Sequence, residues 1–306
     1  MHEGSRKAIF AAFLANLGIA IAKVVAAIIT GSASMLAESI HSFADTGNQG
    51  LLFLGGRRAA KPADEHHQFG YGAERFFWAF VVALVLFTLG ALFSLYEGYD
   101  KLTNPHQVDS PIVAFVVLGV AVVLEGLSLR TAVREANEHR NGRPWLQFIR
   151  LTKNPELPVV LLEDTGALAG LVLALTGLAL AVATDEPRFD AVGSLAIGVL
   201  LAVIAIVLAV EMKSLLIGES AVGAVERQIQ SALDASPEVR SLIHMRTLQL
   251  GPEEILLAAK VDFAVDDVRT LATAIDAVES RIRDACSEVT VIYLEPDLDR
   301  SRTQPA

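Results

Sequence analysis

Two ionisable side chains, His41 and Asp45, lie inside an otherwise largely apolar stretch of the sequence. Because they are four residues apart, a helix would place them one turn apart on the same face. Burial of such groups in hydrocarbon costs several kcal/mol unless they face a polar cavity, so an acid beside an imidazole in such a setting indicates a functional site. Imidazole nitrogens and carboxylate oxygens both bind divalent cations. The pair is therefore a candidate metal site.

Further acidic side chains lie within apolar stretches and could complete this site: Glu125, Glu163 and Asp164. If the chain crosses a membrane as described below, Asp45, Glu125 and Asp164 lie at comparable distances from one surface and could converge. Zinc-like ions take about four nitrogen and oxygen ligands at roughly 2.0–2.2 Å. His41, Asp45 and Asp164 would supply three of them. The fourth position stays open to Glu163, Glu125, Asn48 or water.

Structural explanations compete with this metal site. A polar contact between helices that orients the bundle would account for His41 and Asp45. Glu163 has two possible roles. It could bind metal or carry a proton, or it could pair with an arginine on the cytoplasmic side, and the same two roles are open to Glu125.

Four further residues are better explained by structure than by function. Lys23 and Glu38 both lie towards the outer surface of the predicted spans, and a mutual ion pair is the simplest way to neutralise both charges. His66 and His67 could capture incoming metal, but neighbouring exposed histidines are common and need no functional explanation.

The apolar residues are segregated along the chain. Hydrophobic residues make up 53% of the 306 residues, above the roughly 45–50% usual in soluble domains. A helix that crosses a bilayer needs about 20 apolar residues, and six stretches are long enough: 9–29, 33–56, 76–95, 112–129, 157–182 and 189–210. The sequence predicts an α-helical membrane protein with six transmembrane helices.

The orientation of these helices follows from basic residues in the loops, since lysine and arginine are retained on the cytoplasmic side. The segments after spans two and four are rich in them: Arg57, Arg58 and Lys61, then Arg130, Arg134, Arg140, Arg143, Arg150 and Lys153. The alternate loops hold only Lys101 and Arg188. Both termini are therefore predicted to be cytoplasmic, with the first span a retained helix and not a signal peptide.

The composition changes near Lys213, and the remainder is predicted to be a soluble cytoplasmic domain. Its pattern indicates an αββαβ order: helix 222–233, strands 241–250 and 255–263, helix 268–285 and strand 289–294. Such an order suggests a small sheet with helices on one face. The predicted domains are thus 1–212, in the membrane, and 213–306, an α+β domain.

Several classes of protein are disfavoured by the sequence. The single cysteine, Cys286, cannot form an internal disulfide or a four-cysteine zinc site. The net charge of −10 argues against binding of nucleic acid. An intramembrane metalloenzyme ranks last, because neither a His-Glu-x-x-His motif nor a Gly-x-Ser-x-Gly motif is present.

The sequence resembles the cation diffusion facilitators almost from end to end. The resemblance is carried by several motifs: the segment 30–45 with its His-x-x-x-Asp, 69–75 (Phe-Gly-Tyr-Gly-Ala-Glu-Arg), Glu163-Asp164, Asp190 with 194–198, Glu211, and 246–252. It implies six-span divalent-metal transporters with a cytoplasmic ferredoxin-like domain, usually dimeric. Carried onto this chain, it makes His41, Asp45 and Asp164 the expected ligands.

The chain also departs from the family pattern. Many relatives have a second histidine or aspartate one turn before the aspartate of span five, where this chain has Val160. Either Glu163 or Glu125 would replace that ligand, and the Glu163-Asp164 pair is similar to a branch that includes organelle zinc transporters. At the positions of cytoplasmic ligands in some members, this chain has Lys260 and Tyr293. We therefore expect no binuclear metal site there, and a homodimer held by protein contacts alone.

The expected function is Zn²⁺ efflux by proton antiport, with alternating access, in a lipid bilayer. Metal must displace protons from its ligands, and an imidazole is the natural coupling group. One imidazole with carboxylates also accepts Mn²⁺, Fe²⁺ or Co²⁺. A metal sensor or scaffold that does not transport is a further alternative. A bacterial plasma membrane is the expected location, with an organelle left open; the metal is cargo, and no cofactor is expected.

Overall fold

The computed structural model describes residues 3–300 except 106, 109 and 141, with side chains from residue 17 onwards. The chain divides into two compact units. The first consists of Met1–Arg57 and Phe77–Met212, and the second of Arg58–Phe76 and Lys213–Ala306. The segment before the third long helix therefore packs with the C-terminal part of the chain.

Helices make up the first unit. In chain order they are α1 (Glu3–Thr30), α2 (Ala33–Ala59), α3 (Glu74–Val85), a π-helical segment (Leu86–Leu92), α4 (Phe93–Thr103), α5 (Pro111–Arg140), α6 (Trp145–Leu151), α7 (Glu156–Thr184) and α8 (Arg188–Ile217). The segment from α3 to α4 is one continuous helix of 30 residues.

Four of these helices are long and apolar enough to cross a membrane: Glu74–Thr103, Pro111–Arg140, Glu156–Thr184 and Arg188–Ile217. A shorter apolar helix, Leu17–Thr30, is part of α1, and the predicted span 9–29 begins among residues whose side chains are outside the described part. The polar side chains of α2 keep it out of this set. The chain is a membrane protein with several apolar helices, and six spans remain a prediction.

Small residues allow close approach between the membrane helices. A Cβ atom at Gly177 of α7 would lie 2.9 Å from the carbonyl oxygen of Phe189 and 3.2 Å from Cα of Gly193, both on α8. Glycine at this position thus allows the two backbones to pack directly, as is common between helices in membranes. This contact fixes α7, which carries Glu163 and Asp164, against α8.

The short helix α6 was missed by the sequence analysis. Its Phe148 is buried in a small apolar cluster with Ala136 and Leu161, and the guanidinium of Arg140 lies 4.4 Å from the ring centre of Trp145. These contacts hold α6 between α5 and α7.

The C-terminal part forms the small sheet domain that the sequence predicts, with elements in the order αββαβ: α9 (Gly223–Asp234), β1 (Val239–Gly251), β2 (Glu254–Phe263), α10 (Val268–Ala285) and β3 (Val289–Pro296). The strand order is β1-β2-β3, with β1 and β2 antiparallel and β2 and β3 parallel. Both helices pack on the sheet and on each other. Asp267 begins α10 by accepting hydrogen bonds from the backbone N–H groups of Arg269 and Thr270.

Candidate metal site

One face of α2 carries a column of polar side chains. These residues are three or four positions apart, except for one adjacent pair, and therefore share one side of the helix. They are Glu38, His41, Ser42, Asp45 and Asn48. Glu38, His41 and Asn48 are fully buried, while the Asp45 side chain is 18% exposed. A helix with such a face needs polar partners on its neighbours.

His41 and Asp45 lie together, with His41 Nε2 3.4 Å from Asp45 Oδ2. Within the described part of the chain, neither ring nitrogen of His41 has a hydrogen-bond partner, and the same holds for Asp45 Oδ1. A buried polar atom without a partner costs about 1–3 kcal/mol. The pair therefore presents nitrogen and oxygen lone pairs that a metal ion could satisfy.

The two adjacent carboxylates of α7 point to different neighbours. Asn48 Nδ2 of α2 donates to Glu163 Oε1 at 2.6 Å, and Ser128 of α5 donates to Asp164 Oδ2 at 2.8 Å. Consecutive residues of a helix are about 100° apart, so one residue faces α2 and the other α5. Glu163 is consequently the carboxylate of α7 that contacts the helix of His41 and Asp45.

Within the described residues, no three His, Cys, Asp or Glu side chains converge closely enough to hold a metal ion. The structure brings His41 and Asp45 together, and it places Asp164 with Ser128 instead. Glu163 nevertheless joins the helix of Asp45 through Asn48, and Glu125 lies against Lys23, which is bound to Ser42 of the same helix. The two glutamates thus lie along the polar face of α2, and the α7 carboxylates are bound to neutral hydrogen-bond donors.

Lys23 of α1 lies beside this region. Its Nζ is 3.5 Å from Glu38 Oε2, donates to Ser42 Oγ at 2.5 Å and lies 3.9 Å from Glu125 Oε1. The Lys23–Glu38 contact has the form that the sequence suggested, whereas the contacts with Ser42 and Glu125 were not foreseen. Lys23 therefore links α1, α2 and α5.

The π-helical segment Leu86–Leu92 passes next to His41. A Cβ atom at Gly90 would lie 3.9 Å from His41 Nδ1, so the imidazole packs against the wide turn. Single π-helical turns inside α-helices are frequent at functional sites. Sequence analysis read this region as an uninterrupted span.

A second buried polar cluster involves Lys101, which the sequence analysis placed in an outer loop. That placement was wrong: Lys101 lies in α4, is fully buried, and its Nζ is 3.0 Å from Asp190 Oδ2 and donates to the Gly31 carbonyl oxygen at 2.7 Å. Asp190 also accepts hydrogen bonds from the hydroxyls of Ser32 and Ser34 and from the backbone N–H of Ala33. A charge that is paired and fully hydrogen-bonded indicates a structural role.

The loop that holds His66 and His67 is organised by Asp64. Its carboxylate accepts hydrogen bonds from the Tyr71 hydroxyl at 2.6 Å and from the backbone N–H groups of His66 and His67 at 2.9 and 2.8 Å. The bond from Tyr71 contributes most to lowering the pKa of Asp64 below its usual value. These contacts explain the loop without a metal ion.

In the C-terminal domain, Lys260 makes ion pairs with Glu295 at 2.9 Å and Asp297 at 3.2 Å. The hydrogen bonds with these two carboxylates raise the pKa of Lys260. The side chain of Tyr293, on β3, is exposed. A lysine that already neutralises two carboxylates is a poor metal ligand, since only an uncharged amine could bind a cation.

Comparison with known proteins extends these observations. The chain matches the family model for the cation efflux transmembrane domain over residues 9–217. It is 32% identical over 263 residues to the proton-coupled zinc antiporter SLC30A9, mitochondrial, of Homo sapiens, covering 85% of this chain and 46% of that protein. It is 30% identical over 231 residues to metal tolerance protein C4 of Arabidopsis thaliana, covering 75% and 50%.

A bacterial relative is similar over nearly its whole length. The magnetosome protein MamB of Magnetospira sp. (strain QH-2) is 26% identical over 290 residues, which cover 92% of this chain and 94% of that protein. By contrast, the chain spans about half the length of the human and plant relatives. The family match covers more than half of the chain, so the chain belongs to the cation efflux family, the cation diffusion facilitators, whose members are transporters.

Proposed function

We propose that the protein exports Zn²⁺ from the cytoplasm in exchange for protons, by alternating access of a metal site between α2 and α7. His41, Asp45 and Asp164 are its ligands, and Glu163 is the fourth. The alternatives are a transporter of Mn²⁺, Fe²⁺ or Co²⁺ with the same site, or a metal sensor that does not transport.

The observation that carries this proposal is the unpartnered pair of His41 and Asp45. Among the residues that the structure describes, the buried imidazole has no hydrogen-bond partner on either nitrogen and one carboxylate oxygen has no donor, which is costly in a folded protein unless a further group binds there. If the pair served only to orient helices, its polar atoms would have hydrogen-bond partners within the protein. The carboxylate oxygens of Asp190 do have such partners.

Glu163 is preferred to Glu125 as the fourth ligand because of where each points. Glu163 binds Asn48 at 2.6 Å, and Asn48 lies one turn of α2 beyond Asp45. Glu125 instead lies against Lys23. An arriving metal ion would replace the neutral donors Asn48 and Ser128 as the partner of the two α7 carboxylates, and this exchange would draw α7 towards His41.

Zinc is favoured by the mixture of one imidazole with carboxylates, whereas manganese prefers oxygen ligands. The human relative is named a proton-coupled zinc antiporter, which supports the same ion and the same coupling. Proton exchange follows from the ligands, since imidazole and carboxylates must lose protons to bind the metal. Protonation from the opposite side would then release it, with His41 as the coupling group.

The same proposal includes the architecture. α1, α2, the helix Glu74–Thr103, α5, α7 and α8 are the six spans, with both termini cytoplasmic because basic residues concentrate after α2 and around α6. The C-terminal domain is ferredoxin-like and joins two chains into a homodimer. The membrane is a bacterial inner membrane, with an organelle membrane as the alternative suggested by the mitochondrial relative.

The test is metal uptake into proteoliposomes that contain the purified protein, comparing Zn²⁺, Mn²⁺, Fe²⁺ and Co²⁺. We expect saturable flux that is greatest for Zn²⁺, that Asp45→Asn removes and that Glu138→Gln preserves, since Glu138 is 67% exposed in a surface ion pair with Arg134. Greater flux of another ion would reassign the cargo. Zinc binding without flux of any ion would overturn the transport function in favour of a sensor.

A further inference from the structure

Lys23 is unusual because its side chain is 0% exposed while its charged ammonium group lies near two carboxylates from different helices. Glu38 lies on α2 and Glu125 on α5, at 3.5 and 3.9 Å from the ammonium group. A simple ion pair with Glu38 would neutralise both charges, yet the geometry extends the ammonium group to a second acid. That second contact needs its own explanation.

Glu125 is well placed to reach a bound metal ion. It precedes Ser128, the partner of Asp164, by three residues, so both lie on the same face of α5. Its side chain is only 17% exposed. In the described arrangement it faces Lys23 and makes no hydrogen bond with His41.

Lys23 also acts on the site through its charge. The ammonium group is bound to the side chain next to His41 in the sequence, in a poorly hydrated region where interactions between charges are weakly screened. It is also anchored: Ser42, the neighbour of His41, accepts its hydrogen bond at 2.5 Å. The cation is therefore held at a fixed position next to the candidate ligands.

We propose that Lys23 holds Glu125 out of the coordination shell of the metal and thereby keeps the affinity of the site low enough for release. The inference rests on the proposed function and assigns Lys23 and Glu125 a regulatory part in it. A carrier must bind its ion and also let it leave. A fifth ligand, an oxygen of Glu125, would tighten binding, and the tethered ammonium group competes with the metal for that oxygen.

The experiment is a comparison of Zn²⁺ affinity, measured by calorimetric titration of the purified full chain at constant pH. Lys23→Met alone would leave the buried Glu38 without its cation, so the pair is removed together as Lys23→Met/Glu38→Gln. The other variants are Glu125→Gln, the triple variant that combines all three changes, and Asp45→Asn. Lys101→Met/Asp190→Asn is the matched control, since it removes another buried ion pair of the same unit.

We expect Lys23→Met/Glu38→Gln to bind Zn²⁺ at least about fivefold more tightly than the wild type, which is the low end of typical coupling between sites. The triple variant should return to the affinity of Glu125→Gln, because the gain comes from that carboxylate. The control pair should leave the Zn²⁺ affinity unchanged.

Two results would overturn the inference while leaving the transporter intact. In the first, Lys23→Met/Glu38→Gln loses stability but binds Zn²⁺ as the wild type does, which makes Lys23 a structural residue only. In the second, the triple variant binds as tightly as the double, which excludes Glu125. Failure of the proposed metal site has a different signature: the wild type and Asp45→Asn would bind Zn²⁺ equally or not at all, and the inference would fall with it. Failure of transport alone would appear in the proteoliposomes as Zn²⁺ binding without flux.

Discussion

Asn48 of α2 and Glu163 of α7 are joined by a hydrogen bond of 2.6 Å between two fully or nearly fully buried side chains. This bond couples the helix that carries His41 and Asp45 to the helix that carries the adjacent acids. It also separates the roles of those acids, because Asp164 is directed to Ser128 of α5.

Replacement of Glu163 tests the assignment of the fourth ligand. We predict that Glu163→Gln weakens Zn²⁺ binding by at least about 10-fold, since loss of a residue that only supports a metal ligand already costs about 10–100-fold. Glutamine keeps the size of the side chain and the hydrogen bond but loses the charge. Asn48→Ala should have a smaller effect, since it removes only the partner. The measurement is Zn²⁺ titration, with Glu138→Gln as the control. Wild-type affinity in Glu163→Gln would leave Glu163 as the partner of Asn48 alone.

How far the site could be predicted differs between its two halves. His41 and Asp45 are four residues apart, so their proximity follows from helix geometry alone. The directions of Glu163 and Asp164 do not follow, because they depend on the rotation of α7 about its axis. The contact of Lys23 with Glu125 joins residues that are far apart in the sequence, and no local pattern indicates it.

The close packing of α7 on α8 should depend on the absence of a side chain at Gly177. We predict that Gly177→Ala destabilises the protein by about 1–3 kcal/mol, the usual cost of overpacking, because the new Cβ would lie 2.9 Å from a backbone oxygen that cannot move without shifting α8. Gly119→Ala in α5 is the control, since no atom of the described part of the chain lies within 4 Å of a Cβ at that position. The measurement is unfolding in detergent, and equal stability of both variants would contradict the packing described.

The sequence predicts the apolar part of each long helix but not where the helix begins and ends. Apolar runs mark the part of a helix that lies in hydrocarbon, whereas the helices continue beyond it, as α5 does to Arg140. α6 was missed because seven residues are too few to show a helical period. The π-helical segment at Leu86–Leu92 has no sequence pattern that distinguishes it from the α-helix around it.

Lys101 shows why a lysine near the end of a span can be misread. Its position near the end of an apolar stretch is typical of a loop charge. However, Asp190 lies at the beginning of α8, on the same side of the predicted bundle, and can neutralise it. The structure pairs the two at 3.0 Å with both side chains fully buried.

Breaking this pair should be costly. We predict that Lys101→Met lowers the free energy of unfolding by about 3–5 kcal/mol, because it leaves the Asp190 carboxylate buried without its cation. Lys101→Met/Asp190→Asn should recover most of that loss. Unfolding in detergent measures both, and if the double variant were no more stable than the single one, the pair would not account for the loss.

Metal bound at His41 and Asp45 should move across the membrane in exchange for protons. The most direct measurement is Zn²⁺ flux into proteoliposomes with and without an imposed pH gradient, for the wild type and for Asp45→Asn, together with the pH change in the lumen. We expect that the gradient accelerates Zn²⁺ flux through the wild type, that protons move in the opposite direction, and that Asp45→Asn abolishes both movements. Zinc flux that ignores the gradient, or that persists in Asp45→Asn, would contradict it.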